Sequence, residues 1–191
     1  VTAQFLPVHL LGLVRGADGV LLVGDLSCDS LLEDLETVES VFAQRRVRFA
    51  PERGEEAEGE EKVRALLLAN KLDAPGSAER LELLREWAGG RLEVLPVSCA
   101  DRRGLDGLPA RLFGWLGVVR VYTKHPGSRA DLAKPYTLFR GGTVGELCGR
   151  IHRDFAERLA FARLWRGEAG PITVSRGEAL QDRDVLELHL R

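Results

Sequence analysis

A run of polar residues, Asn70-Lys71-Leu72-Asp73, directly follows the apolar segment Ala65-Leu66-Leu67-Leu68-Ala69. The apolar segment predicts a buried strand, and α/β folds bind ligands at the edge formed by the carboxyl ends of such strands. At that edge, the ionised carboxylate of Asp73 can accept two neighbouring hydrogen bonds in a fork. The segment therefore predicts a site for a ligand that presents two adjacent donors.

The same four residues resemble the guanine-specificity motif of GTP-binding domains. Guanine carries its N1 hydrogen beside an exocyclic amine, whereas adenine would leave Asp73 unpaired, which costs roughly 1–3 kcal/mol and more for a charge. The resemblance implies that Asn70 bonds the base edge and ties neighbouring loops together, and that the stem of Lys71 lies over the base or ribose. The alternative is that Asp73 only opens the turn Ala74-Pro75-Gly76 before a helix capped by Ser77.

A second predicted strand, residues 92–97, ends in Ser98-Cys99-Ala100. In GTPases the corresponding strand ends in a Ser-Ala loop whose backbone amide meets the guanine O6 atom. The resemblance therefore adds Ser98 and Cys99 to the expected guanine-binding residues, with Cys99 where Ala is usual.

The phosphate side of such a site is missing from the sequence. A phosphate loop reads G-x-x-x-x-G-K-[ST], and no lysine of this chain is preceded by Gly and followed by Ser or Thr. Two matches to the D-x-x-G switch pattern, at residues 73–76 and 101–104, lie at or beyond the guanine motif, and we interpret both as turns. We predict no catalytic residue and no metal ligand, and we expect magnesium only together with a phosphate-loop portion.

Composition excludes several classes of protein. The 191 residues are 45% hydrophobic and 29% charged, which is typical of a soluble globular chain. No apolar stretch reaches the 18 or so residues of a membrane span, and the first residues do not resemble a secretory leader. Three cysteines without a C-x-x-C pair favour reduced thiols. These features predict a cytoplasmic protein without a membrane partner.

Residues 1–117 are predicted to form an α/β domain. Expected helices are residues 7–14, 31–46, 77–88 and 105–116, and expected strands are residues 20–26, 64–69 and 92–97. Ser30 and Glu33 form a capping-box pattern before the second helix. Apolar strands that alternate with helices indicate a parallel sheet covered on both faces. The glutamate-rich segment 51–61 is expected to be an exposed loop.

Residues 118–191 are predicted to form a compact α+β domain. Strands at 119–124, 136–139, 160–165 and 185–190 surround one helix over 143–159, which gives the order β-β-α-β-β of a ubiquitin-like β-grasp. This part has 13 basic and 9 acidic residues, a net charge of +4, whereas residues 1–117 have a net charge of −6. The helix carries Arg150, Arg153 and Arg158 on its polar faces, and these are the candidate contacts to RNA or another partner. Solvated helix charges are an equally good explanation.

Several segments resemble one family closely. Residues 119–124, Gly142-Thr143-Val144, residues 151–154 and Asp182-Arg183-Asp184-Val185 look like the TGS domain of the developmentally regulated GTP-binding protein (DRG) branch of the Obg-related GTPases. Residues 15–23 resemble the family's stretch just after its switch region. The resemblance implies a partial P-loop-type GTPase domain that lacks its N-terminal portion, followed by a TGS domain. The strand at Val20 to Leu26 would then have an unpaired edge, which predicts self-association or pairing with further N-terminal sequence.

Two functions follow from the resemblance. The first is a GTP- or GDP-binding protein of the Obg/DRG type whose TGS domain contacts RNA, the ribosome or a regulatory protein during translation. The alternative is a non-enzymatic adaptor that binds RNA or protein through the TGS domain and keeps a vestigial nucleotide domain. Hydrolysis by this chain alone is not expected, because no set of cations and backbone donors is available for the terminal phosphates.

Overall fold

The computed structural model describes residues 8–55, 59–168 and 170–191. The chain divides into two compact units, Val1–Arg111 and Leu112–Arg191, and the division falls within the helix Leu108–Leu116. The first unit has a parallel sheet with helices and the second is a smaller α+β unit, so the predicted fold class is confirmed. The domain boundary predicted between residues 117 and 118 stays a prediction.

The first unit alternates helices and strands. In chain order its elements are α1 (Val8–Gly16), β1 (Val20–Asp25), α2 (Leu31–Ala43), β2 (Val47–Ala50), β3 (Gly54–Glu55), β4 (Glu61–Asn70), α3 (Ser77–Ala88), β5 (Val94–Pro96) and α4 (Leu108–Leu116). Pro7, the expected start of the first helix, lies outside the described residues. Strand β2 was not predicted from the sequence.

Strand β4 forms the centre of the sheet. Its first half pairs with β2 and β3, and its second half pairs in parallel with β1 and β5. Leu66, Leu67 and Ala69 are completely buried, as a strand covered on both faces requires. The register pairs Asp25 with Asn70, so that β1 and β4 end at the same edge.

Two predicted helix caps differ in detail from the structure. Ser30 is at the N-cap position of α2, as predicted, but it makes no capping bond, and its hydroxyl instead donates to Asp34 Oδ2 at 2.9 Å. Ser77 is the first residue of α3 rather than its cap, and the cap is Gly76 at a φ of 73°. The hydroxyl of Ser77 donates to the Leu72 carbonyl oxygen at 2.8 Å, which fastens the start of α3 to the polar motif.

The glutamate-rich segment is more structured than predicted. Strand β4 begins at Glu61, inside the expected loop, and Glu55 belongs to β3. Glu60 pairs with Arg48 at 2.6 Å, and Glu61 pairs with Arg15 and Arg53, both at 3.2 Å. These ion pairs neutralise glutamates that the sequence alone placed in solvent.

The second unit is an open five-stranded sheet with helices on one face. Its elements are β6 (Val118–Lys124), β7 (Tyr136–Phe139), α5 (Val144–Ile151), α6 (Arg153–Arg158), β8 (Leu159–Trp165), β9 (Ile172–Val174) and β10 (Asp184–Leu190). The strand order is β7-β6-β10-β8-β9, with β6 and β10 parallel and the other pairs antiparallel. The short strand β9 was not predicted.

The predicted helix over 143–159 is two helices. Thr143 caps α5 as expected, since its hydroxyl accepts from the Glu146 amide at 3.3 Å. His152 then leaves the helical conformation, with φ at −165° and ψ at 146°, and its Nδ1 accepts from the Asp154 amide to cap α6. Arg150 therefore lies on a different helix from Arg153 and Arg158.

Strand β1 has an open edge in the part of the chain that the structure describes, because β4 is its one pairing partner there. On β1, Leu21 and Val23 are 38% and 62% exposed, although strands of parallel sheets are normally covered on both faces. An open edge beside exposed apolar side chains favours pairing with another chain.

Replacement of Val23 by Lys is expected to weaken self-association, because a charge at an exposed strand edge opposes pairing with a second chain. Light scattering coupled to size-exclusion chromatography should give a larger mass for the parent chain than for V23K at the same concentration. The matched control is Leu83→Lys on α3, where the leucine is 51% exposed. A parent chain that is monomeric at all concentrations would contradict this prediction.

Candidate functional site

The loops after β4 and β5 lie side by side at one edge of the first unit's sheet. Beyond the strand pairing, the Val97 amide donates to the Ala69 carbonyl oxygen at 2.8 Å, and the Leu72 amide donates to the Val97 carbonyl oxygen at 3.1 Å. The structure therefore brings together the two segments that the sequence analysis selected separately.

The hydroxyl of Ser98 positions Asp73. Ser98 is fully buried, and its Oγ donates to Asp73 Oδ1 at 2.6 Å while accepting from the Asp101 amide at 3.3 Å. The Ser98 amide donates to the Arg103 carbonyl oxygen at 2.9 Å. Ser98 was predicted to contact guanine, and in the structure its polar atoms are used within the protein. The Asp73 side chain is exposed and its second oxygen, Oδ2, faces no hydrogen-bond donor among the described residues.

The next two residues supply backbone donors. Cys99 and Ala100 are exposed, and within residues 8–55, 59–168 and 170–191 neither backbone N–H has a hydrogen-bond acceptor. Gly104 completes this turn at a φ of 74°, where an added Cβ would lie 2.6 Å from the Pro96 carbonyl oxygen. The segment 101–104 is thus a tight turn against β5, in agreement with its interpretation from sequence.

Lys71 is held at the end of β1. Its backbone is left-handed, with φ at 65°, and its Nζ lies 2.6 Å from Asp25 Oδ2 and 3.2 Å from Ser27 Oγ. Hydrogen bonds from Lys71 and Ser27 lower the pKa of Asp25 to about 2, and Asp25 in turn raises the pKa of Lys71. Both side chains therefore stay charged at neutral pH, and their position is fixed although they are about half exposed.

Sequence reasoning assigned no role to Asp25, Ser27 or Arg80. Arg80 lies on α3 and donates to Asp29 Oδ1 at 2.6 Å, to the Leu26 carbonyl oxygen at 3.1 Å and to the Pro75 carbonyl oxygen at 3.0 Å. It joins the loop after β1 to the turn after the polar motif. The position of Asp25 at the end of a strand was a usable signal, since parallel neighbours end at one edge, whereas nothing in the sequence pattern marked Arg80.

Asn70 has an unmet acceptor. Its Oδ1 is buried and has no hydrogen-bond partner among the described residues. A buried polar atom left in this state costs about 1–3 kcal/mol, so that a donor from a ligand or from another segment would stabilise it. The role that the sequence analysis expected for Asn70, a link between the base and neighbouring loops, stays a prediction.

The polar atoms at this edge include both donors and acceptors. The free N–H groups after Ser98 can donate to an acceptor of a ligand, and the open oxygen of Asp73 can accept from a donor. This edge can therefore bind a polar group that carries both.

Arg150, Arg153 and Arg158 belong to the second unit, and each has a partner there. Arg150 donates to the Thr137 carbonyl oxygen at 2.7 Å, Arg153 pairs with Glu157 at 3.3 Å, and Arg158 donates to the Arg191 carbonyl oxygen at 2.7 Å. The structure does not gather the three guanidinium groups on one helix face.

Neither a metal-binding cluster nor a membrane-spanning helix is present among the described residues. No group of three or more His, Cys, Asp or Glu side chains could hold a metal ion in that part of the chain. No helix there is long and apolar enough to cross a membrane.

Comparison with known proteins finds similar sequences for both parts of the chain. Residues 119–190 match the model of the TGS domain family. The chain is 33% identical over 104 residues to GTP-binding protein 1 of Schizosaccharomyces pombe, covering 51% of this chain and 29% of that protein. It is 30% identical over 131 residues to developmentally-regulated G-protein 1 of Arabidopsis thaliana, covering 66% of this chain and 32% of that protein.

A solved structure gives the same fold. A GTP-binding protein from Pyrococcus horikoshii OT3 superposes with a TM-score of 0.53 at 19% identity, covering 69% of this chain and 47% of that one. The chain spans about a third of the length of the curated relatives it matches.

If the site binds guanine, GDP should protect Cys99 from alkylation. Cys99 is exposed and lies in the loop that would meet O6, whereas burial raises the pKa of the Cys148 thiol and makes it unreactive. Iodoacetamide labelling followed by peptide mass analysis should show slower modification of Cys99 with GDP and no change with ADP. Equal protection by the two nucleotides would count against base selection.

Proposed function

We propose that this chain, which carries a TGS domain and is homologous to the developmentally regulated GTP-binding proteins of the Obg-related GTPases, recognises guanine nucleotides through the loops after β4 and β5. One observation carries the proposal. The Asp73 carboxylate is oriented by a buried hydroxyl, and the residues that follow that hydroxyl present free backbone donors.

Each predicted residue receives a role in this proposal. Asp73 accepts the N1 hydrogen and the exocyclic amine of guanine, and the amides of Cys99 and Ala100 donate to O6. Ser98 acts through Asp73 as a positioning residue. The Lys71 stem lies over the base or ribose, held by its ion pair with Asp25, and Asn70 bonds the base edge or a neighbouring loop.

The chemistry available to this chain is binding of the base. Nothing in its sequence matches a phosphate loop, and phosphoryl transfer needs cations and backbone donors around the terminal phosphates. We expect no GTP hydrolysis by these 191 residues, and a magnesium ion would be held only where a phosphate-loop portion contributes to the site. Three free cysteines are consistent with a cytoplasmic protein.

The second unit is proposed to contact RNA, as part of an association with the ribosome or with translation. Support comes from the net charge of +4 over residues 118–191 and from the exposure of Arg153, whose side chain is 89% accessible. The alternative is a non-enzymatic adaptor that binds RNA or protein through the TGS domain, with the nucleotide unit serving only as a scaffold. Nucleotide binding and RNA binding are measured in separate experiments, so a negative result for one does not contradict the other.

Replacement of Asp73 by Asn should convert the site from guanine to xanthine recognition. The amide loses the charge-assisted fork, and hydrogen bonds to charged groups contribute about 1.5–3 kcal/mol, so GDP affinity should fall about 10- to 150-fold. Xanthosine diphosphate, which offers a carbonyl in place of the amine, should gain affinity. Isothermal titration with both nucleotides checks this, and Asp106→Asn at an exposed side chain is the control. An unchanged GDP affinity would exclude Asp73 from the site.

Replacement of Arg150, Arg153 and Arg158 by Gln should reduce the salt dependence of RNA binding. Each lost phosphate contact lowers the slope of log affinity against log salt by about 0.7 for a single strand. Fluorescence anisotropy with a single-stranded RNA at several NaCl concentrations measures the slope, and Arg140→Gln is the control. No binding at low salt, or an unchanged slope, would remove these arginines as RNA contacts.

A further inference from the structure

The second unit contains a cavity of about 720 Å³ that the proposed function does not use. It lies where the loop between β6 and β7 passes the helices α5 and α6 and the end of β10. This volume is within the range of about 300–1,000 Å³ that small-molecule sites occupy.

Part of the cavity lining is apolar. Tyr136, Ile151, Phe155 and Leu188 pack against the buried core of this unit and also face the cavity. Leu190 extends the apolar surface and is 37% exposed. A ligand with a sizeable apolar body would remove this surface from water, which favours binding.

The lining also has a positively charged part. Lys124, Arg129 and Lys134 line the cavity beside His125, with a single carboxylate, Asp131. Lys124 is already used, since its Nζ lies 3.3 Å from Glu187 and 4.2 Å from the centre of the Trp165 ring. Asp131 accepts from the Ala133 amide in a local turn.

Arg129 and Lys134 are exposed, and neither makes an ion pair or a side-chain hydrogen bond with any residue that the structure describes. Cations without partners beside an apolar surface would gain from an anionic group. Lys124 and Arg163 differ in this respect, because they share the buried Glu187 carboxylate.

We propose that this cavity binds a small organic anion, with an apolar body against Tyr136, Ile151 and Phe155 and a negative group between Arg129 and Lys134. Acyl carboxylates and aromatic phosphates share this chemistry. The site is separate from the guanine site in the first unit, so either proposal can fail without the other.

The test uses the full chain and two dyes of similar shape. The anionic dye 8-anilinonaphthalene-1-sulfonate carries an aromatic body and one negative charge, whereas N-phenyl-1-naphthylamine has nearly the same body without the charge. Fluorescence titration should show saturable binding of the anionic dye at least about 10-fold tighter than that of the neutral one. Equal affinity for the two dyes, or no saturable binding, would overturn the proposal.

Charge-reversal variants test whether the anionic dye binds in this cavity. Arg129→Glu/Lys134→Glu should weaken binding of the anionic dye about 10-fold or more, because two attractive contacts become repulsive. Arg140→Glu makes the same kind of change outside the cavity and should alter binding less than twofold. GDP affinity and circular dichroism should be unchanged in these variants. Unaltered dye binding in the double variant would overturn the assignment to this cavity.

Displacement of the dye by other compounds tests whether the site needs both an apolar body and a negative group. Decanoate and 1-naphthyl phosphate should displace the dye, and whichever does so at lower concentration identifies the source of the anion. Inorganic phosphate at the same concentration should not displace it. Displacement by inorganic phosphate alone would overturn the apolar half of the proposal.

Discussion

Parallel pairing of β4 with β1 and β5 determines where the polar groups of the first unit meet. Parallel neighbours run in the same direction, so their carboxyl ends lie at one edge, and the register of Asp25 with Asn70 brings β1 and β4 to that edge together. The loop after β5 reaches the same edge through the backbone bonds between Val97, Ala69 and Leu72. Side chains distant in sequence become neighbours because this parallel register fixes where each strand ends.

Two contacts then convert this edge into a site of defined polarity. The buried Ser98 hydroxyl fixes one oxygen of Asp73 and leaves the other open, and the Asp25 carboxylate fixes the Lys71 ammonium group. The first contact sets where a ligand's donors must lie, and the second holds a long side chain that would otherwise sample many rotamers. In the proposed function, this arrangement is preorganised for the base, and the residues named here do not hold the phosphates.

The sequence predicted the parts of this arrangement that depend on local pattern. Apolar runs identified β1, β4 and β5, and the resemblance to GTP-binding domains placed Asp73 and Ser98 in one site. The hydrogen-bond partners of the Ser77 and Ser30 hydroxyl groups were predicted wrongly. A hydroxyl group before a helix can bond to several nearby acceptors, and only the fold decides among them. The sequence also missed the break at His152, where the apolar stripe continues through both helices and conceals the change of direction. The cavity beside Arg129 and Lys134 could not be predicted from the sequence, because the long loop that lines it has no periodic pattern of apolar residues.

The central claim is that the loops after β4 and β5 recognise the base itself, so the most direct measurement uses guanosine without phosphates. In ¹H–¹⁵N correlation spectra of the labelled chain, guanosine should shift the amide signals of Cys99 and Ala100, and adenosine at the same concentration should leave them unchanged. Equal shifts with both nucleosides, or guanosine-induced shifts confined to other residues, would contradict the account.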